Sequence, residues 1–234
     1  MTLETHFSEQ REKMIEELQA CGISGSSVLR AMTTVPRHNF VSKELERHAY
    51  GDHPLPIHAY QTISQPFIVA KMMEAANLTS DSVVLEIGTG CGYQSAILAE
   101  LCKAVYTVER IPQLGTEAQS RLFELGYTNV HFCIGDGYLG WPSAKDGPVS
   151  PFDSIIVSAG AKQWPQHLLE QLKVGGMLVV PISTPKTADD PNMQELLRVR
   201  KTSKENDFQA ESLGLVRFVP MIPNTDNNDF QQQF

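Results

Sequence analysis

The segment VVLEIGTGCGYQ, residues 83–94, constrains this chain more than any other stretch: an apolar run, an acid, then three alternating glycines. Val83, Val84, Leu85 and Ile87 read as a short strand buried on both faces, as in a parallel sheet. Gly88, Gly90 and Gly92 allow a sharp turn and a close backbone approach to a ligand, and Gln94 to Ala99 opens a helix. Strand, glycine turn and helix together predict the nucleotide-binding start of a doubly wound α/β fold with a mostly parallel, Rossmann-like sheet. A dinucleotide fingerprint asks for G-x-G-x-x-G, and Tyr93 stands where its third glycine belongs. Glu86, two residues before the first glycine, repels a pyrophosphate and suits a ligand carrying an ammonium and a sulfonium. The pattern points to S-adenosylmethionine rather than NAD.

Further acids follow at the expected places. Ala104 to Val108 reads as a second strand ending at Glu109, whose two oxygens suit a pair of ribose hydroxyls, with Arg110 beside it. Val130 to Ile134 reads as a third strand, followed by Gly135-Asp136-Gly137, where Asp136 is expected to take an adenine amino group. Any one of these acids alone would be an ordinary loop residue. Three in register at one sheet edge behind a glycine turn predict a cofactor site formed by Glu86, Gly88, Thr89, Gly90, Tyr93, Gln94, Glu109, Arg110, Asp136 and Gly137.

Bulk properties narrow the class. The 234 residues are 41% hydrophobic and 20% charged, as in an ordinary globular protein. No apolar run approaches the roughly 20 residues of a membrane span, and the start, MTLETHFSEQREK, lacks the basic and apolar regions of a secretory signal. The four cysteines form no C-x-x-C pair, so a reduced, cytoplasmic protein is expected. A net charge of −8 argues against a nucleic-acid backbone as partner. Arg198, Arg200, Lys201 and Lys204 read as the solvated face of a strand guarding an edge.

Along the chain, residues 8–20 predict an amphipathic helix stopped by Gly22, and Ser26 or Ser27 a cap for a second helix over Val28 to Thr34. Residues 40–65 read as an ordered loop and Pro66 as the first residue of the next helix. Later strands are expected at Phe152–Val157, Met177–Val180, Leu196–Val199 and Leu213–Val219, with a helix over Pro165–Leu172 closed by Gly175-Gly176. The expected organisation is an N-terminal helical segment with a substrate-side loop (1–66), packed as one compact unit with a methyltransferase domain (67–222), and a disordered tail (223–234).

Several blocks outside the glycine loop resemble one family. These are Val35-Pro36-Arg37 with Phe40-Val41, Leu55-Pro56-Ile57, Gln61-Thr62-Ile63-Ser64-Gln65-Pro66, Val108-Glu109-Arg110, Gly135-Asp136-Gly137, Pro151-Phe152-Asp153 and Val216-Arg217-Phe218-Val219-Pro220. With the glycine loop they make the chain, from about residue 12 to 222, resemble the protein-L-isoaspartate (D-aspartate) O-methyltransferases. The resemblance implies methyl transfer from S-adenosylmethionine to the α-carboxyl of L-isoaspartyl residues, and of D-aspartyl residues, in damaged proteins. The ester then collapses to a succinimide, which starts repair. It implies Ser64 as the active-site serine, Gln61, Thr62 and Ile63 at the boundary between cofactor and substrate, and Pro56, Ile57, Val216, Arg217 and Phe218 on the substrate side. The partners implied are isoaspartyl-containing peptides and proteins, met by a monomer or weak oligomer, with no nucleic acid or membrane.

A carboxylate acceptor needs no general base near neutral pH, because carboxyl groups ordinarily titrate near 4. Ser64 is therefore expected to orient the acceptor, with capping of the helix at Pro66 as its other reading. The chain departs from the family at His58-Ala59-Tyr60, where a glycine-rich turn is usual, and at Ser183, where a glycine is common. Both changes bear on substrate choice. A methyltransferase for a different peptide carboxylate, or a cofactor-binding protein acting only through partners, also fits these residues.

Overall fold

The computed structural model describes residues 3–142, 151–203 and 207–223. Two helices open the chain, α1 (Leu3–Ala20) and α2 (Ser26–Thr34). Helix α1 starts five residues before the predicted boundary, and Phe7 joins Met14 and Leu18 on its buried side. Each such side chain contributes about 1.5–3 kcal/mol by leaving water. Ser26 and Ser27 lie inside α2 and cap nothing. The donors ahead of it, Ser24 N and Gly25 N, are taken instead by the Glu74 carboxylate from another helix, a tertiary contact that local spacing cannot reveal.

The expected loop over residues 40–65 follows a 3₁₀ turn at Arg37–Phe40 and is ordered, as short 3₁₀ segments at Lys43–His48 and His58–Tyr60 and a small antiparallel hairpin, β1 (Leu55–Pro56) with β2 (Thr62–Ile63). Helix α3 (Pro66–Ala75) starts at its proline as predicted. Its cap removes one reading of Ser64: the N-cap residue is Gln65, and Phe67 N donates to Asp52 Oδ1 at 2.8 Å. Ser64 does not cap the helix.

The remaining elements alternate: β3 (Val83–Ile87), α4 (Tyr93–Leu101), β4 (Ala104–Glu109), α5 (Pro112–Glu124), β5 (Val130–Ile134), β6 (Phe152–Val157), α6 (Gln166–Glu170), β7 (Leu172–Ile182), β8 (Gln194–Lys201) and β9 (Phe208–Val216). The seven-stranded sheet has the order β5-β4-β3-β6-β7-β8-β9, parallel from β5 to β7 and antiparallel through β8 and β9. The chain leaves β3 toward β4 and returns on its other side as β6, so the order reverses between β3 and β6. Crevices for ligands open at such a reversal, outside the carboxyl ends of the strands.

Three expectations are corrected. Gly175 and Gly176 lie within β7, at a bulge where Ser154 pairs with Met177 while Phe152 pairs with Leu172. A Cβ at Gly176 would sit 2.8 Å from the Asp153 carbonyl, so the close approach needs glycine. Strand β9 begins at Phe208 and ends at Val216, which leaves Arg217 and Phe218 beyond it. Of the basic cluster, Arg198 pairs with Glu211 at 2.6 Å across β8 and β9. Lys201 alternates to the opposite face, is buried, and donates to the Leu169 carbonyl at 2.7 Å. Lys204 and the predicted tail beyond residue 223 lie outside the described residues. One apolar cluster joins Met14, Leu18 and Met32 of the first helices to Tyr93 and Ile97 of α4 and Ile156 of β6. Among the described residues, no helix is long and apolar enough to cross a membrane.

Candidate active site

Two cavities meet at the reversal point of the sheet. The first, of about 300 Å³, is lined by the glycine loop, the end of β4, the segment 60–64 and the stretch 219–222. The second, of about 360 Å³, is lined by Val216, Arg217 and Phe218 together with Pro54, Gln65, Ile68, Met193 and Leu215. Thr62, Ser64, Ser158 and Val219 line both.

The first cavity follows from the backbone. Gly88, Gly90 and Gly92 all take positive φ, at 93°, 55° and 88°. Gly92 precedes α4, and a Cβ there would sit 3.2 Å from Leu122 and 3.3 Å from Ala118, so its bareness lets α4 pack on α5. Glu109 fastens the loop to β4. Its Oε2 accepts from Gly90 N at 2.8 Å and its Oε1 from Ile111 N at 2.9 Å. Each oxygen keeps acceptor capacity, because a carboxylate offers about four lone-pair sites. Glu109 therefore faces the cavity with room for two hydroxyl donors.

Gln61, Thr62, Ile63, Gly88, Thr89, Gly90, Tyr93, Gln94, Arg110 and Gly137 also line this cavity. Two predicted acids do not. Glu86 is fully buried beneath the loop and accepts from Gln94 Nε2 at 3.1 Å, from Thr107 Oγ1 at 2.7 Å, and from Ser95 Oγ. Thr89 sits 2.6 Å from Thr107, whose proton goes to Glu86, so Thr89 donates to Thr107. Burial pushes the Glu86 carboxyl up to about 7, against the opposing pull of these hydrogen bonds. Glu86 thus braces the loop from below, because the strand pleat turns its side chain inward. Asp136 accepts from Tyr138 N at 2.9 Å and starts the turn Gly137–Leu139, leaving only Gly137 at the cavity wall. Residue type and spacing signalled an acid near the ligand in both cases, but not which way its side chain turns.

Val216, Arg217 and Phe218, the residues expected to meet substrate, line the second cavity. Phe218 N donates to Gln194 Oε1 at 2.8 Å, and Arg217 Nη2 to Asp190 at 3.1 Å. Pro56 and Ile57 line neither cavity. Pro56 pairs with Thr62 in the hairpin, and Ile57 N donates to the Gln61 carbonyl at 2.8 Å, so they shape the strap beside Ser64 from outside.

That strap, His58-Ala59-Tyr60, keeps a left-handed path without glycine. Ala59 and Tyr60 have φ of 57° and 58°, whereas His58 does not take positive φ. His58 Nδ1 lies 2.8 Å from Glu117 Oε2 on α5, and Tyr60 is fully exposed at the cavity mouth.

Sequence reasoning missed Ser158 and Arg37. Ser158 follows β6 at the sheet reversal, and the rule that ligands bind outside the carboxyl ends of strands is the signal that marks it. Arg37, within the VPR block, is completely buried beside Tyr93 and donates to two carbonyls near the site, at Ala49 and Ser64. Nothing local to its sequence announces that.

Known proteins resemble this chain in sequence and fold. The Picosynechococcus protein-L-isoaspartate O-methyltransferase is 49% identical over 212 residues, covering 90% of this chain and 89% of that one. A solved protein-L-isoaspartate O-methyltransferase superposes with a TM-score of 0.78 at 30% identity, over 90% of this chain and 65% of that chain. The Plasmodium falciparum protein-L-isoaspartate O-methyltransferase (PCMT), solved in complex with S-adenosyl-L-homocysteine, shares the fold with a TM-score of 0.74 at 23% identity, covering 92% of this chain and 99% of that one. The family model "Protein-L-isoaspartate(D-aspartate) O-methyltransferase (PCMT)" matches residues 9–226, and the chain belongs to that family.

Proposed function

We propose that the first cavity holds S-adenosylmethionine, that the second takes an L-isoaspartyl or D-aspartyl residue of a damaged protein, and that the methyl group passes at their boundary to the acceptor's free carboxylate. The observation that carries this reading is Ser64, which lines both cavities. The residues present fit the cofactor. Glu109 offers a two-oxygen acceptor at the cavity wall, and the glycine loop brings bare backbone beside it. Glu109 and the backbone around Gly88 and Gly90 would hold it, together with Gln61, Thr62, Ile63 and Gly137.

When bound, S-adenosylmethionine supplies a methyl group made electrophilic by its sulfonium. The protein's part is alignment. Ser64 is not needed as a nucleophile, because the acceptor is already ionised at neutral pH. Its hydroxyl donates to the carboxylate and holds one oxygen toward the first cavity at a near-attack distance of roughly 3–3.5 Å. The apolar wall formed by Ile63, Val69, Ile87 and Met221 limits water, which favours a reaction that brings opposite charges together. The methyl ester then closes to a succinimide whose hydrolysis returns part of the damage to normal aspartate. The protein works in the cytoplasm in this reading, where its four free cysteines stay reduced. It acts as a monomer or weak oligomer on isoaspartyl-containing peptides and proteins, and a net charge of −8 speaks against nucleic acid as a partner.

The test is transfer of a labelled methyl group to an isoaspartyl peptide beside its normal aspartyl twin. Label in the isoaspartyl peptide alone is the expected result, and Ser64→Ala should lower turnover while leaving S-adenosylhomocysteine affinity near wild type. Equal labelling of both peptides, or of neither, would remove the substrate assignment.

A further inference from the structure

We infer that Ser158 is a second hydroxyl donor to the acceptor carboxylate, sharing the boundary of the two cavities with Ser64 and held by Gln94. The inference rests on the functional reading above. Ser158 directly follows β6, and its backbone N–H donates to the Ile87 carbonyl at 2.8 Å, which fixes it beside the glycine loop. Ser158 lines both cavities.

The hydrogen bonding sets what that side chain can do. Gln94 Nε2 donates to Ser158 Oγ at 2.7 Å and also to Glu86 Oε1 at 3.1 Å. Ser158 is thus an acceptor in that contact and retains its own O–H. Among the described residues that hydrogen meets no acceptor. Gln94 lines only the first cavity. The hydroxyl proton is left for a group arriving at the boundary of the two cavities. Glu86, anchored by Ser95 and Thr107, keeps the Gln94 amide turned this way round.

Chemistry favours hydroxyls at this point. The residues that line both cavities are Thr62, Ser64, Ser158 and Val219, none of them charged. In the transfer the attacking oxygen gains a bond to carbon, sulfur keeps the electron pair released, and no proton changes hands. The carboxylate loses its charge as it reacts. A lysine or arginine in contact would hold the ionised ground state more tightly than the transition state and raise the barrier. Neutral donors orient the carboxylate without that penalty. Two of them from different elements, one ahead of α3 and one after β6, fix its plane and leave one oxygen facing the methyl group.

Binding of two peptides measured by calorimetry, with S-adenosylhomocysteine present, tests this. One is an isoaspartyl peptide, and the other carries an amide in place of the same α-carboxylate. Wild type should prefer the carboxylate. Ser158→Ala should weaken the carboxylate peptide by roughly 10- to 100-fold, as expected when a hydrogen bond to a charged group is lost, and leave the amide peptide and S-adenosylhomocysteine within about 3-fold of wild type. Ser158→Thr, which restores a hydroxyl, should recover the carboxylate preference, and retained S-adenosylhomocysteine binding certifies both folds. An unchanged preference in Ser158→Ala would overturn the inference. So would a loss confined to S-adenosylhomocysteine, because Ser158 would then serve the cofactor. A wild-type protein that prefers neither peptide would overturn the functional reading itself.

Discussion

Arg37 donates from Nη2 to the carbonyl oxygen of Ser64 at 2.8 Å, so a completely buried guanidinium holds the backbone of the residue at the junction of the two cavities. The same group donates from Nε to the Ala49 carbonyl at 2.7 Å and lies 4.7 Å over the ring of Tyr93, the first residue of α4. Desolvation lowers its pKa from the ordinary arginine value, opposed by the nearby Tyr93 and Cys91. One planar cation therefore ties the segment carrying Ser64 to the helix that follows the glycine loop.

Arg37→Lys should show what this geometry is worth. A lysine offers one ammonium at the end of a flexible stem and cannot reproduce the fork that reaches two carbonyls while stacking on a ring. Losing one charged hydrogen bond predicts a drop of about 1.5–3 kcal/mol in unfolding free energy, read by urea denaturation. Loss of alignment predicts a fall in kcat larger than any rise in peptide KM. A variant that loses stability at unchanged kcat would confine Arg37 to the core.

Glu109 serves the protein before it serves a ligand, since both its oxygens already accept backbone N–H groups. Glu109→Ala removes the proposed ribose acceptor and frees the glycine loop together, so S-adenosylhomocysteine affinity should fall by at least about 1.5–3 kcal/mol. Glu109→Gln keeps one carbonyl oxygen and should lose less. Calorimetry with both variants ranks them; equal affinity for wild type and Ala would remove Glu109 from the site.

Glu86 gives a pH prediction with a definite sign. Burial raises its folded pKa to about 7 from an ordinary value of 4.5, with Glu109 adding a smaller push in the same direction. Between those two values the folded protein holds a proton that the unfolded chain has released. This contribution is therefore fully present below pH 4.5 and fades as pH rises through about 7. Glu86→Gln stays neutral throughout, and the Ser95 and Thr107 hydroxyls can turn to accept from its amide. The variant should match wild type near pH 5 and exceed it at pH 8, by up to about 3 kcal/mol. Denaturant titrations at both pH values decide. A Gln variant weaker at pH 8 would show that the three hydrogen bonds to the carboxylate outweigh its desolvation.

The parallel half of the sheet was legible in the sequence because its strands are continuous apolar runs closed by glycine or acid. The positions of Ser64 and Glu109 on the cavity wall agree with expectation, Glu109 because it ends an apolar strand run and Ser64 through the family resemblance of its block. What the sequence hid depends on tertiary partners. The cap of α2 comes from Glu74, fifty residues away from Ser24. Glu86 and Asp136 were placed correctly along the chain, yet their carboxylates turn away from the cavity to satisfy backbone and hydroxyl donors. Ser158 carries no motif of its own and gains meaning only beside Gln94 and Ser64, which the sheet order brings to it.

The strap over the cavity mouth offers the last prediction. Ala59 and Tyr60 both hold left-handed backbone, at φ of 57° and 58°, a conformation that costs a residue with a Cβ roughly 1–2 kcal/mol. The strap is held by the hairpin at its base, where Ile57 N donates to the Gln61 carbonyl, and by His58 against Glu117. Tyr60 is thereby fixed as a fully exposed aromatic beside the entrance, able to pack on residues flanking the damaged site. Ala59→Gly should raise unfolding free energy by about 0.5–1 kcal/mol, a gain trimmed by the greater freedom of glycine in the unfolded chain. Tyr60→Gly should broaden the range of isoaspartyl peptides methylated, because it removes the exposed ring that flanking residues would meet at the cavity mouth. A panel of isoaspartyl peptides varied on both flanks, run on wild type and Tyr60→Gly, measures this as a flattening of kcat/KM across the panel. Identical profiles would mean that Tyr60 points away from bound peptide and that its exposure has no part in substrate choice.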